Sequence, residues 1–330
     1  MVRSAEAILW RWLNRAAQKG WIRFDQYSPL RRLAITLYLL RSELWQTMGQ
    51  VTHPYRALWS LLTGKDTYYL HLAGKPPCFL RFSPLIFLNF LRLLRAVYPT
   101  LAINPDESTL AIAIAPDVPY TAYLSDTADL AVLKELLIEQ VYGTHFPGYK
   151  IIDVGAYRGE TALFFCACGA ESVIAAEPAP DNYAIAQKNI LASPYHNRIK
   201  ILPVAVSDAK GTMTMRLNLK NPYAHSLQET SPSADSAEVV PVEVWSFKDL
   251  IAYSSWEVID LVKLDCEGAE YPILLNTPAE ILQRVKRWAI EYHGPVEPLR
   301  SRLKELGYQV RHVQDRGTIG ILHAERISEA

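Results

Sequence analysis

The chain has 330 residues, with 34 basic and 34 acidic side chains, 50% apolar residue types, 15 glycines and 21 prolines. This composition excludes a disordered chain, a collagen-like fibre and an acidic solvating segment, and the length suits roughly two domains. The four cysteines (Cys78, Cys166, Cys168 and Cys266) are too few and scattered for a disulfide framework, which points to a reducing compartment, most simply the cytosol.

The neutral total hides an asymmetry. Residues 1–100 hold 14 Lys/Arg and 4 Asp/Glu, and the remaining 230 hold 20 and 30. Trp10, Trp12, Trp21, Trp45 and Trp59 also fall in the basic front part. Ala5, Ile8, Leu9, Trp12, Leu13 and Ala16 share one helical face, with Arg11, Arg15 and Lys19 on another. Further apolar runs at 33–40 and 57–62 extend the helical reading. Such a region serves either as a helical cap or as a surface for anionic lipid or a polyanionic substrate. The most apolar window, 82–91, has ten residues before Arg92, short of the about 20 that span a bilayer. No secretory pattern opens the chain. The protein is expected to be soluble and cytoplasmic, or at most attached to a membrane surface.

From 67 to 124 the signal is mixed: a strand at 68–72, a turn at Gly74-Lys-Pro-Pro77, a helix over 84–97, and strands at 109–114 and 120–124. An apolar stripe, Leu130, Val132, Leu133, Leu136, Leu137 and Val141, predicts a helix over 130–141.

The next stretch carries the chemistry. A short apolar strand, 151–154, runs into Gly155-Ala-Tyr-Arg-Gly159 and then a helix over 160–168. Strand, glycine turn and helix in that order form a nucleotide-type ligand site in doubly wound α/β proteins. Gly155 and Gly159 lack a Cβ, so backbone can come close to a ligand. The spacing is G-x-x-x-G, neither the dinucleotide fingerprint nor a phosphate-binding P-loop, which favours a ligand with a single nucleoside. A second strand, 172–176, ends at Glu177-Pro178, and a carboxylate there can accept both ribose hydroxyls. Asp181 is the expected N-cap of a helix through Leu191. A third strand, 199–206, ends at Ser207-Asp208, the corner that faces the base.

Two alternating strands, 212–219 and 238–244, flank a stretch of about 17 residues without periodicity that holds His225 and Ser226. A fourth strand, 258–264, ends in Asp265-Cys-Glu-Gly-Ala-Glu270, three carboxylates in six residues. Such a cluster needs partners or a task. The fifth strand, 288–292, ends in Glu291-Tyr-His293-Gly294. A helix over 296–306 and two strands, 308–313 and 318–323, close the chain.

Residues 149–324 resemble the FkbM-type family of class I S-adenosylmethionine-dependent methyltransferases. The strings DVGAYRG (153–159), Glu177-Pro178, KLDCEGAE (263–270) and IEYHG (290–294) carry the resemblance. It implies an α/β fold: a Rossmann-like seven-stranded sheet with its last strand antiparallel, preceded here by a mainly helical extension. Residues 1–128 would form the basic, Trp-rich N-terminal region with a few short strands, and 129–330 the cofactor-binding domain.

The resemblance further implies S-adenosylmethionine as cofactor and O-methylation of a small molecule, glycan or lipid-linked sugar. Asp153, Gly155 and Gly159 would frame the methionine part of the cofactor, Glu177 the ribose and Asp208 the adenine, with Tyr157 and Asp265 also binding the cofactor. His293 and Asp265 are the candidates for general base; His225, Ser226, Glu267 and Glu291 would line the acceptor site. Asp265, Glu291 and His293 are the residues of a less favoured divalent-metal alternative. Two rivals are an RNA methyltransferase that uses the basic front region and a non-catalytic cofactor-binding scaffold. The front region lacks the Gly-aromatic strings of common RNA modules, which counts against nucleic acid.

Overall fold

The computed structural model describes residues 127–217, 238–315 and 317–327, together with short pieces between residues 58 and 123. The described residues fall into two compact units, divided in sequence as 1–113 with 121–139 and 114–120 with 140–330. The expected helices at 5–16 and 33–40, and the loop with His225 and Ser226, lie outside the described residues.

In the first stretch β1 (Thr67–Leu70) and β2 (Cys78–Arg81) form an antiparallel hairpin across the expected turn. The strands β3 (Ala102–Asn104), β4 (Thr109–Ala115) and β5 (Val118–Tyr123) form a three-stranded sheet in chain order. Within the run 84–97, the described Phe90, Leu91 and Leu93 are helical and fully buried. The predicted helix at 130–141 starts three residues earlier as α1 (Thr127–Lys134) and passes into a π-helical turn, Glu135–Glu139.

The second unit contains β6 (Lys150–Val154), α2 (Glu160–Ala167), β7 (Ser172–Ala176), α3 (Pro180–Ala192), β8 (Ile199–Leu202), β9 (Ala205–Ser207) and β10 (Gly211–Leu217). It continues through β11 (Glu238–Ser246), α4 (Phe247–Ser254), β12 (Leu261–Leu264), α5 (Glu270–Asn276), α6 (Ala279–Leu282), β13 (Arg287–His293), α7 (Glu297–Glu305), β14 (Tyr308–Asp315) and β15 (Ile319–Arg326). Seven strands form one sheet in the order β14-β15-β13-β12-β6-β7-β8. Neighbours from β13 through β8 pair parallel, whereas β15 is antiparallel to both β13 and β14. The last strand is therefore the reversed one, as expected.

Central parallel strands are covered on both faces, so they are apolar throughout rather than alternating. All four residues of β12 are buried, and so are four of five in β6 and in β7. One face packs on a cluster that includes Ile152, Val262, Trp288, Phe247 and Leu303, with Phe247 and Trp288 ring centroids 5.6 Å apart. Edge-to-face contacts of Phe165 with Phe146 and Tyr142 form a second aromatic group.

Three expectations need correction. The third strand is not continuous: β8 joins the main sheet, and β9 pairs with β11 in a separate sheet with β10. Pro203 stands at the break, where it has no N–H to give to a ladder. Asp181 is not the N-cap of α3. Ala179 holds that position, and Pro180, whose fixed φ suits the first helical residue, starts the helix two places earlier. The fourth strand begins at Leu261 rather than 258, because the Asp260 carboxylate accepts the Lys150 N–H and the Lys286 ammonium instead of continuing the ladder.

Candidate active site

From β6 the chain moves outward to β7 and β8, then returns to place β12 on the other side of β6. That reversal of direction is where a doubly wound sheet opens a ligand crevice at the strands' carboxyl ends. Register sets what faces it. Val154 pairs with both Leu264 and Ala176, so Gly155, Asp265 and Glu177 leave the sheet at one level. Leu264 pairs with Ile290, which puts Glu291 at the same level and His293 just above.

The floor is an ion pair. Lys263 and Asp153 are direct cross-strand partners, buried to 2% and 0% side-chain exposure, with Nζ 3.2 Å from Oδ1. Lys263 also donates to the Gly155 carbonyl at 2.7 Å and lies 3.5 Å from the Asp265 carboxylate, which is 31% exposed. Asp153 accepts a short hydrogen bond from Thr161 on α2. Burial raises the Asp153 pKa against the opposing pull of Lys263, and the carboxylates of Asp153, Asp265 and Glu160 raise that of Lys263 despite its own burial. Lys263, held by Asp153, thus secures the glycine turn from beneath.

The turn is sterically tight. Gly155 has φ +77°, and a Cβ on it would lie 1.7 Å from the Asp265 carbonyl oxygen. Its N–H and that of Ala156 both donate to the Ala176 carbonyl, tying the β6 loop to β7. Tyr157 also has a positive φ, 47°, and donates its N–H to Glu177 Oε2 at 2.9 Å. Glu177 Oε1 accepts the Ala179 N–H at 2.9 Å. Burial pushes Glu177 up to about 7, against these two hydrogen bonds and a third from the Asn182 side chain. A carboxylate has about four lone-pair sites, so about one remains for a hydroxyl. Gly159 precedes α2 as its N-terminal flanking residue.

Around His293 the carboxylates converge. Glu270, fully buried at the start of α5, accepts the N–H groups of Cys266 and Gly268 at 2.8 and 2.9 Å. His293 Nδ1 lies 3.3 Å from Glu270 Oε1; a carboxylate only accepts, so Nδ1 is the donor. On the other side Nε2 is 3.7 Å from Glu267 Oε2. Burial disfavours the imidazolium, but the Glu270 hydrogen bond and the charges of Glu267, Glu270 and Asp265 outweigh it and raise His293 to about 9. Burial pushes Glu267 up to about 7 in spite of His293.

Asp265, Glu291 and His293 also offer ligand atoms that all lie within 4.8 Å of one another, a set of two oxygens and one nitrogen that fits a divalent cation. The same imidazole is engaged by Glu270 and Glu267, which favours proton chemistry there.

Asp208 bonds elsewhere. Its carboxylate takes the Asn276 amide at 2.8 Å and the Ser207 hydroxyl at 3.1 Å, and the Asn276 bond foremost lowers its pKa. The structure brings Asp153, Gly155, Tyr157, Gly159, Glu177 and Asp265 together through the β6 turn, and joins Glu267 and His293 at the next strand ends. Three supporting residues had no assigned role in the sequence reading: Lys263, Thr161 and Glu270. A lysine inside an otherwise apolar strand, opposite an aspartate in the first, was the available signal for the floor.

Residues 153–310 match the profile of the methyltransferase FkbM domain. No curated protein matches the chain. Similar solved structures include a methyltransferase FkbM from Methylobacillus flagellatus KT (17% identical, covering 73% of this chain and 59% of that one, TM-score 0.36). Another is TrmK of M. capricolum with S-adenosyl-homocysteine (14%, 57% and 66%, TM-score 0.37). A third is the METTL16 methyltransferase domain (13%, 88% and 94%, TM-score 0.44). The chain thus spans 59% of the Methylobacillus protein's length and 66% of the TrmK chain. Over residues 153–310, just under half of its length, the chain thus matches the methyltransferase FkbM domain, the family that the strings at 153–159 and 263–270 resemble.

Proposed function

We propose that the protein transfers a methyl group to a hydroxyl of a small molecule, glycan or lipid-linked sugar. The observation that carries this reading is an imidazole held between two carboxylates, at strand ends next to the cofactor crevice. The donor set suits S-adenosylmethionine: Glu177 has an acceptor site left for a ribose hydroxyl, the Gly155 turn sits at the mouth, and Asp265 offers a partly exposed carboxylate to a cation.

When bound, the cofactor supplies a methyl on a sulfonium, a good leaving group in a direct displacement. The chain's own part is to place the acceptor and take its proton. Glu270 fixes the His293 ring through Nδ1, which leaves Nε2 to receive the proton as the acceptor oxygen forms its bond to carbon. Glu267 stabilises the imidazolium that results. In-line positioning can contribute roughly 7–11 kcal/mol at best, and a placed base about 10²–10⁴-fold. Asp265, ion-paired with Lys263, supports the cofactor end, which leaves His293 as the favoured base.

The test is transfer of labelled methyl to sugar, lipid and RNA fractions, with His293→Gln alongside. The expected result is label in the sugar or lipid fraction, lost in the variant, while cofactor affinity stays within a few fold. Label in RNA alone sinks the acceptor assignment. Full turnover in His293→Gln sinks the base. Loss of turnover on chelation, restored by Mn²⁺, supports the cation reading of Asp265, Glu291 and His293 instead.

A further inference from the structure

On the other half of the sheet, the pleat gathers a second group of polar side chains. Arg287 pairs with Glu325, and Ala289 pairs with His323, which in turn faces Arg311 of β14. These residues therefore lie on one face, level with the amino-terminal half of β13, whereas the crevice opens at its carboxyl end. A cavity of about 330 Å³ opens over them, bordered also by Tyr142.

The donors in this cavity outnumber its acceptors. Arg311 Nη2 lies 3.5 Å from His323 Nδ1. A guanidinium only donates, so Nδ1 accepts and the neutral ring carries its proton on Nε2. That Nε2 is buried and has no hydrogen-bond partner. Burial, then the charges of Arg311 and Arg287, push the imidazole down to about 4, against a smaller pull from the Val141 carbonyl. Glu325 is the nearby carboxylate, but its side chain is 69% exposed at the rim, 3.9 Å from Arg287 Nε. Arg287 also donates to the Tyr149 hydroxyl at 3.3 Å. Two guanidinium groups and the His323 ring, whose N–H has the Val141 carbonyl nearby but no well-aligned acceptor, thus border one space. A bound oxyanion would give that donor a well-aligned acceptor.

We infer that this cavity is an anion site for a phosphate group, inorganic or on a small phosphomonoester, with Arg311 and Arg287 supplying charge and His323 Nε2–H a third donor. The inference is independent of the methyl-transfer reading. It is tested on the full chain with inorganic phosphate, by calorimetry and by NMR of the His323 ring. The expected result is saturable binding, a His323 titration that moves up from about 4, and at least tenfold weaker binding in Arg311→Ala, whose fold is checked by circular dichroism. A charge-assisted hydrogen bond of about 1.5–3 kcal/mol sets that ratio. S-adenosylmethionine affinity should be the same in both proteins. An unmoved His323 signal, or equal phosphate affinity in Arg311→Ala, overturns the site. Capture on phosphatidic acid vesicles without any response to inorganic phosphate also overturns it, and moves the chemistry to a lipid surface.

Discussion

Gly155→Ala is the sharpest test of the crevice architecture. A Cβ there meets the Asp265 carbonyl oxygen at 1.7 Å, where real Cβ contacts essentially never fall below 3.0 Å. The β6 and β12 ends would have to part by more than 1 Å, but two donors to the Ala176 carbonyl and the Lys263 bond to Gly155 hold the turn in place. The left-handed φ costs an alanine about 1–2 kcal/mol. Overpacking between two backbones adds roughly 1–3 kcal/mol. The sum is a loss of about 2–5 kcal/mol, read as a lower urea midpoint, with cofactor binding lost alongside. The clash is with backbone, so no side-chain rotation relieves it. A variant within about 0.5 kcal/mol of the parent that still binds the cofactor would refute the packing of these two strand ends.

Four further outcomes follow from the site. Glu177→Ala should weaken S-adenosylmethionine binding at least tenfold by calorimetry; parental affinity would remove Glu177 from the ribose. Lys263→Met leaves Asp153 as a buried unpaired charge and should cost about 3–5 kcal/mol in urea unfolding, much of it recovered in the Asp153→Leu/Lys263→Met double variant. If the single variant costs under about 1 kcal/mol, the pair is not the floor of the crevice. His293 is raised from 6.5 to about 9, so its contribution to stability is fully present below pH 6.5 and is lost as pH rises through 9. The melting temperature should accordingly fall between pH 6.5 and 9.5, and less steeply in His293→Gln; parallel curves would remove this ionisation from the balance. Turnover should rise with pH toward 9 in the parent. In Glu270→Gln its limb should move toward lower pH, by about one unit or more, and an unmoved limb would show that Glu270 does not hold the base.

The strand-to-glycine turn at 155, the acid at 177 and the acid-rich tip at 265–270 were legible in the sequence because each is local: an apolar run and what ends it. The reversed last strand came from the family resemblance and the closing pair of strands. What escaped was set by partners far apart in the chain. Lys263 acquires its role from Asp153, 110 residues away, and Gly155; its type alone marks it as odd within an apolar strand. Glu270 was visible as one acid among three, but only the meeting of the β12 and β13 ends separates it, buried and holding His293, from Glu267, which faces the other ring nitrogen. The exit of β9 to a second sheet was signalled by Pro203 alone, which is compatible with an edge strand as well as with a break.

The rim of the crevice has a consequence for turnover. Its floor lysine is neutralised by Asp153, while Asp265, Glu267 and Glu291 stand at the upper ends of β12 and β13. S-adenosylmethionine carries one positive charge more than the thioether left behind when its methyl departs. On the proposed placement of the cofactor, the surrounding negative field grips the incoming reagent more strongly than the spent one, so that discharge by the reaction itself loosens what the site must next expel.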